Sequence, residues 1–124
     1  MPAARAEIAV KRVYEKAAPS DGFRVLVDRL WPRGLKKDEA RIDAWLADLA
    51  PSNELRKWFH ANTEQWAEFR KRYDRELRTA PAQVALDRLK DLLSKHDRVT
   101  LLFASKNTDR NNAIVLREFI QGMK

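Results

Sequence analysis

A small α/β domain of three-layer type, with a short and mostly parallel sheet, is what this sequence predicts, and three observations carry the prediction. Residues 98–104 (RVTLLFA) form a nearly unbroken apolar run rich in β-branched and aromatic side chains, the pattern of a strand buried on both faces. Residues 23–28 (FRVLVD) alternate, with Phe23, Val25 and Val27 on one face. Between these two runs the apolar residues recur at helical spacing, as the helices that join parallel strands require.

The elements follow in order. Residues 7–14 (EIAVKRVY) alternate loosely and read as a first strand. Pro19-Ser20-Asp21-Gly22 is a turn, since Asp-Gly readily supplies positive φ, and its place leaves open an antiparallel hairpin with residues 23–28. Trp31-Pro32-Arg33-Gly34 ends that second strand, because Pro32 lacks an N–H and restricts Trp31 to extended geometry. Asp38 is placed to cap a helix in which Ile42, Trp45, Leu46 and Leu49 share a face, and Pro51 breaks it. Ser52 caps a short helix that ends near His60 and buries Leu55 with Phe59 or Trp58. Thr63 caps the next, where Trp66, Phe69, Tyr73 and Leu77 form a stripe. Pro81 opens a fourth, with Ala85, Leu86, Leu89, Leu92 and Leu93 inward. After the strand at 98–104, a polar loop from Ser105 to Asp109 leads into a last helix with Leu116, Phe119 and Ile120 inward. The sum is strands near 7–14, 23–28 and 98–104 and about five helices.

With 124 residues the chain suits one domain, 1–124. It has no cysteine, which excludes a disulfide framework, a thiol nucleophile and any Cys-ligated metal. Its two histidines lie far apart in sequence, and no spacing suggests a metal site. The amino terminus lacks an apolar signal region and no run is long enough to span a bilayer, so a cytoplasmic protein without a membrane partner is expected. A net charge of +7 favours anionic partners. The positive excess is spread along the chain without a basic arm, so a small anionic ligand ranks ahead of nucleic acid. Cofactor and oligomeric state leave no mark in the sequence.

If the strands at 23–28 and 98–104 run parallel, their carboxyl ends share one edge, and open α/β sheets bind ligands beyond that edge. Asp28, Arg29 and Arg33 then face Ser105, Lys106 and Thr108. Asp28 is a candidate general base or ligand-orienting acceptor, and equally a structural ion-pair partner. Arg29 and Arg33 offer planar forks for phosphate or carboxylate. Trp31 can stack on a ring, although a Trp beside Pro is more often a core anchor. Lys106 can reach a phosphate, and Ser105 or Thr108 can donate hydroxyls at a helix start, but there are no P-loop or dinucleotide glycines; a cap by Thr108 or Asp109 beside a solvated Lys106 accounts for the loop as well. His60 is the second catalytic candidate, as an acid or base near neutrality, against the commoner role of a helix end.

Val-Lys-Arg-Val-Tyr (10–14), Leu-Val-Asp-Arg-Leu-Trp-Pro-Arg-Gly (26–34), Trp-Leu-Ala-Asp-Leu-Ala-Pro-Ser (45–52), Leu-Arg-Lys-Trp-Phe (55–59), Phe-Arg-Lys-Arg-Tyr-Asp-Arg-Glu-Leu (69–77) and Val-Thr-Leu-Leu-Phe-Ala (99–104) together resemble the YeaO-like branch of the domain-of-unknown-function 488 (DUF488) family. The resemblance implies a small bacterial α/β protein of unassigned activity. It marks Asp28, Arg29, Trp31, Pro32, Arg33, Gly34, Ser52, Arg56, His60, Tyr73 and Glu76 as motif positions, with Asn112 in the polar stretch after the last strand as a further ligand-binding candidate. Where relatives commonly have Ala-Lys-Asp, this chain has Ser105-Lys106-Asn107, which removes an acid.

Three functions are compatible with these residues. One is binding, with or without chemistry, of a nucleotide or phosphorylated metabolite at the sheet edge. The others are non-sequence-specific nucleic-acid binding, and a non-catalytic interaction or stress protein.

Overall fold

Strand β4, Arg98–Phe103, is the centre of the molecule, as its apolar run requires. In the computed structural model, which describes residues 6–122, it is hydrogen-bonded on both sides. The other strands are β1 (Glu7–Arg12), β2 (Phe23–Leu26) and β3 (Ala44–Trp45). The spatial order is β1-β4-β2-β3, and every pairing is parallel. β4 matches Glu7–Arg12 along its whole length on one side and Phe23–Leu26 on the other, so the first two strands do not form a hairpin. Residues 13–22 instead cross the sheet, held to it by the Lys11 ammonium on the Lys16 carbonyl (2.8 Å) and the Thr100 hydroxyl on the Asp21 carbonyl (2.6 Å).

The helices are α1 (Lys37–Ala40), α2 (Asn53–Ala61), α3 (Trp66–Leu77), α4 (Ala80–Lys95) and α5 (Asn112–Gln121). The α3 stripe is real: Phe69, Tyr73 and Leu77 are buried and Trp66 packs against them. These residues meet Leu55 of α2, Leu86 and Leu89 of α4 and Leu116 of α5 over one sheet face, formed by Val25, Val27, Val99, Leu101 and Phe103. Each fully buried Leu or Val contributes about 2 kcal/mol, so this core holds the fold together. On the opposite face Leu26, Leu102 and Val13 are covered by Trp31, Leu35 and Ile42 from the segment after β2. That face also buries charge: the Asp21 carboxylate pairs with Arg24 and Lys11.

Several boundaries differ from the sequence reading. The first strand ends at Arg12, where Glu15 N–H turns back to the Arg12 carbonyl (3.0 Å). The helix expected through Ile42–Leu49 is absent. A one-turn α1 ends at Arg41, whose φ of 49° is left-handed, then come β3 and a 3-10 turn at Ala47–Leu49. The reason is non-local: Asp43 N–H donates to the Arg24 carbonyl (2.8 Å) and Leu46 N–H to the Leu26 carbonyl (2.9 Å), so pairing with β2 overrides the helical spacing. Lys36, not Asp38, precedes α1, and α3 starts at Trp66 rather than just after Thr63. Ser52 does cap α2, accepting from Leu55 N–H at 3.1 Å. Among the described residues no helix is long and apolar enough to cross a membrane.

Candidate functional site

Because β2 and β4 are parallel neighbours, the loops that leave them meet at the carboxyl edge, and Asp28 joins them. Its carboxylate accepts from Ala104 N–H (2.9 Å) and from the Asn112 side-chain amide (3.1 Å), which also donates to the Val27 carbonyl (2.9 Å). Burial pushes the Asp28 pKa above the ordinary carboxylate value, against the pull of those two hydrogen bonds and of the Arg56 charge. Both oxygens therefore tie β2 to β4 and to the first residue of α5.

Arg29 points away from the edge. Its guanidinium donates to the carbonyls of Pro51 (3.2 Å) and Ala50 (3.0 Å) and lies 3.5 Å from the Asp48 carboxylate. The turn between β3 and α2 ends in carbonyls without helical partners, and Arg29 supplies their donors. Trp31 is half-buried; its indole N–H donates to the Leu35 carbonyl (2.7 Å) and its ring meets Trp45 edge-on at 5.6 Å. It is a wall of the second core.

Three of the motif positions implied by the family resemblance, Ser52, Tyr73 and Glu76, meet behind this edge. The Tyr73 hydroxyl donates to the Leu49 carbonyl, and the phenol is pushed well above its usual range by burial first, then by the charges of Asp28 and Glu76. Glu76 accepts from the Ser52 N–H (2.8 Å) and the Ser52 hydroxyl (2.6 Å). Arg29, Ser52, Tyr73 and Glu76 thus hold the turn at residues 46–53 by side-chain hydrogen bonds. A groove of about 640 Å³, with Trp58, Glu68 and Arg72 among its walls, borders its outer side at Ser52 and Glu76. His60 stands apart. It is exposed in the last turn of α2, about 12 Å along the helix from Ser52 at 1.5 Å per residue.

The outer rim is different in kind. Arg33, Lys106 and Thr108 are exposed, and their side chains have no hydrogen-bond or ion-pair partner among the described residues. Ser105 turns its loop through Asn107 N–H to its hydroxyl (3.2 Å), and the Asn107 side chain accepts from Asp109 and Arg110 N–H (3.0 and 2.9 Å). Asn111, rather than Thr108 or Asp109, caps α5, accepting from Ile114 N–H at 3.0 Å. Arg12 and Tyr14, which were not among the candidates drawn from the sequence, bridge the two loops. Arg12 Nε donates to the Ser105 carbonyl (3.0 Å), its guanidinium lies 4.9 Å from the Tyr14 ring centre, and the Tyr14 hydroxyl donates to the Arg33 carbonyl (2.8 Å). The signal available was Val-Lys-Arg-Val-Tyr, read there as strand and as part of the family resemblance but not as site.

A family model described as "Inactive DUF488-N3 subclade" matches residues 7–123. The chain is 45% identical over 116 residues to the uncharacterized protein YeaO of Escherichia coli, covering 94% of this chain and 98% of that one. It is 42% identical over 115 residues to the uncharacterized proteins Rv3073c of Mycobacterium tuberculosis and Mb3100c of Mycobacterium bovis, covering 93% of this chain and 94% of each. No solved structure matches it.

Proposed function

Since the chain belongs to the DUF488 family, in the subclade described as inactive, we propose that it is a non-catalytic domain that binds a small anionic ligand at the carboxyl edge of its sheet. The observation that carries this reading is the division of labour at that edge. Asp28, the acid best placed to act as a base, has both oxygens engaged in holding the scaffold, while Arg33 and Lys106, on the two loops that Asp28 joins, carry unpaired charge. A carboxylate whose two oxygens already accept scaffold hydrogen bonds is poorly placed to take a proton from a ligand. Unpaired cations on fixed loops suit an anion that brings its own charge and leaves unchanged.

In this reading Arg33 and Lys106 hold the anion, Ser105 and Thr108 donate hydroxyls, and Asn112 and Asp28 keep the loops in register. Arg29 and Trp31 support from behind, and His60 has no part. The ligand class is a nucleotide or phosphorylated metabolite, met in the cytoplasm. The net charge of +7 favours one second reading, a nucleic-acid surface. Its mark is an affinity for single-stranded RNA that falls steeply with salt.

The test is thermal stabilisation by a panel of nucleotides and sugar phosphates. A ligand at a hundred times its Kd adds about 2.7 kcal/mol to wild type. The Arg33→Gln/Lys106→Gln double variant is expected to lose that gain. Equal stabilisation of the double variant, or none of the wild type by any member, would count against the reading.

A further inference from the structure

Arg12 differs from most of the arginines that are held in place among the described residues. Arg24 is paired with Asp21, Arg29 lies near Asp48, Arg72 is paired with Glu68, Arg78 with Asp74 and Arg98 with Glu7. The Arg12 guanidinium is fixed only by neutral groups: the Ser105 carbonyl on Nε and the π face of Tyr14. The acid nearest in the chain, Glu15, accepts from the Arg12 backbone N–H (3.3 Å), and no ion pair joins it to the guanidinium among the described residues. Arg12 is therefore oriented but not neutralised. Its two terminal nitrogens have no partner among the described residues, so the donor pair that grips an oxyanion is still available. Ordering an arginine costs side-chain entropy, and here the scaffold has met that cost before any ligand arrives.

Tyr14 couples this fork to the rest of the rim. One face of its ring carries Arg12 while its hydroxyl holds the backbone of Arg33. Arg12 in turn holds the backbone of Ser105, the residue before Lys106. Through these contacts one exposed tyrosine links the segments that carry the cations Arg12, Arg33 and Lys106. Three unneutralised positive charges at one edge match a group carrying two or three negative charges, a phosphate or diphosphate, better than a single carboxylate.

We infer that Arg12 is the fork that grips the phosphate of the ligand and that Tyr14 is the positioning residue that aligns it with Arg33; this rests on the edge-binding reading above. The experiment is calorimetric titration of inorganic diphosphate and of succinate at low ionic strength. Its proteins are wild type, Arg12→Gln, Arg12→Lys, Tyr14→Phe and Arg33→Gln, each first checked by thermal melting. Diphosphate binding is expected to weaken roughly tenfold to a hundredfold in Arg12→Gln, the scale of a lost charge-assisted hydrogen bond. Arg12→Lys, which keeps the charge but not the fork, should weaken it several-fold, and so should Tyr14→Phe, which frees Arg33 while keeping the ring. If Arg12→Gln melts early, Arg12→Lys decides. Arg12 variants within twofold of wild type, beside a weakened Arg33→Gln, overturn the role of Arg12 and leave the edge-binding reading standing. Wild type that binds no diphosphate overturns both. Succinate bound as tightly as diphosphate overturns the ligand class.

Discussion

Replacing Asp28 by asparagine is the sharpest way to ask what the motif acid does. Two donors converge on the carboxylate, Ala104 N–H at 2.9 Å and the Asn112 amide at 3.1 Å. An asparagine side chain there keeps one acceptor and presents an NH2 group to the other donor. One half-buried donor is then orphaned, at about 1–3 kcal/mol. For a chain of this size about 4 °C is lost per kcal/mol, so the melting point should fall by about 4–12 °C. The pH dependence gives an independent sign. Burial raises the pKa of Asp28 above its ordinary value of 3.8. The stability contributed by the neutral acid is therefore complete below 3.8 and is lost as pH rises through the raised folded value. The amide of Asp28→Asn does not titrate, so the gap between the two proteins should be widest near pH 3 and narrow toward neutrality. Urea unfolding of both proteins between pH 3 and 7 reads that gap directly. A gap that widens with pH would mean that Ala104, Asn112 and Arg56 stabilise the charged form overall, and would refute burial as the dominant influence on Asp28.

Gly22→Ala and Gly34→Ala separate crowding from backbone strain. Both glycines have positive φ, but an added Cβ at Gly22 meets the Arg98 carbonyl oxygen at 2.3 Å, whereas nothing lies within 4 Å at Gly34. Gly34→Ala should cost about 1–2 kcal/mol, and Gly22→Ala clearly more, by denaturant midpoint; equal costs would contradict the packing described. Asp21→Asn leaves Lys11 and Arg24 without their shared carboxylate and should cost about 3–5 kcal/mol. For wild-type Asp21 burial raises the pKa, but the Ala18 N–H, Lys11 and Arg24 outweigh it, so the net shift is downward. Its contribution is present above 3.8 and lost as pH falls through the folded value, and the wild type should show an acid-side loss that Asp21→Asn lacks.

The parts of this fold legible in the sequence are those where local pattern and tertiary place agree. The apolar run at 98–104 could belong only to a strand covered on both faces, and β4 is that strand. The Phe69, Tyr73 and Leu77 stripe, the Ser52 cap and the Pro81 start each rest on residues within one helix. The segment at 42–49 failed because its apolar residues serve different layers. Ile42 packs under the second face, Leu46 and Leu49 join the main core, and Trp45 lies exposed on the edge strand, its indole N–H on the Asp28 carbonyl (2.7 Å). The meeting of the loop at Asp28 with the loop after β4 followed from assuming that β2 and β4 are parallel neighbours. That Arg29 serves the Ala50 and Pro51 carbonyls did not, because it depends on where a distant turn leaves its backbone. Arg12 and Tyr14 were hidden for the same reason: only the insertion of β4 between β1 and β2 brings Arg12 to Ser105 and Tyr14 to Arg33.

The proposed function is that an anion seats on the rim of the carboxyl edge without chemistry. Amide chemical-shift mapping of the isotope-labelled protein with inorganic diphosphate at low salt tests this most directly. Saturable shifts confined to residues 12–14, 29–34 and 104–112, abolished in Arg33→Gln/Lys106→Gln, are the expected result. Shifts spread well beyond these segments, or none at all, would contradict it.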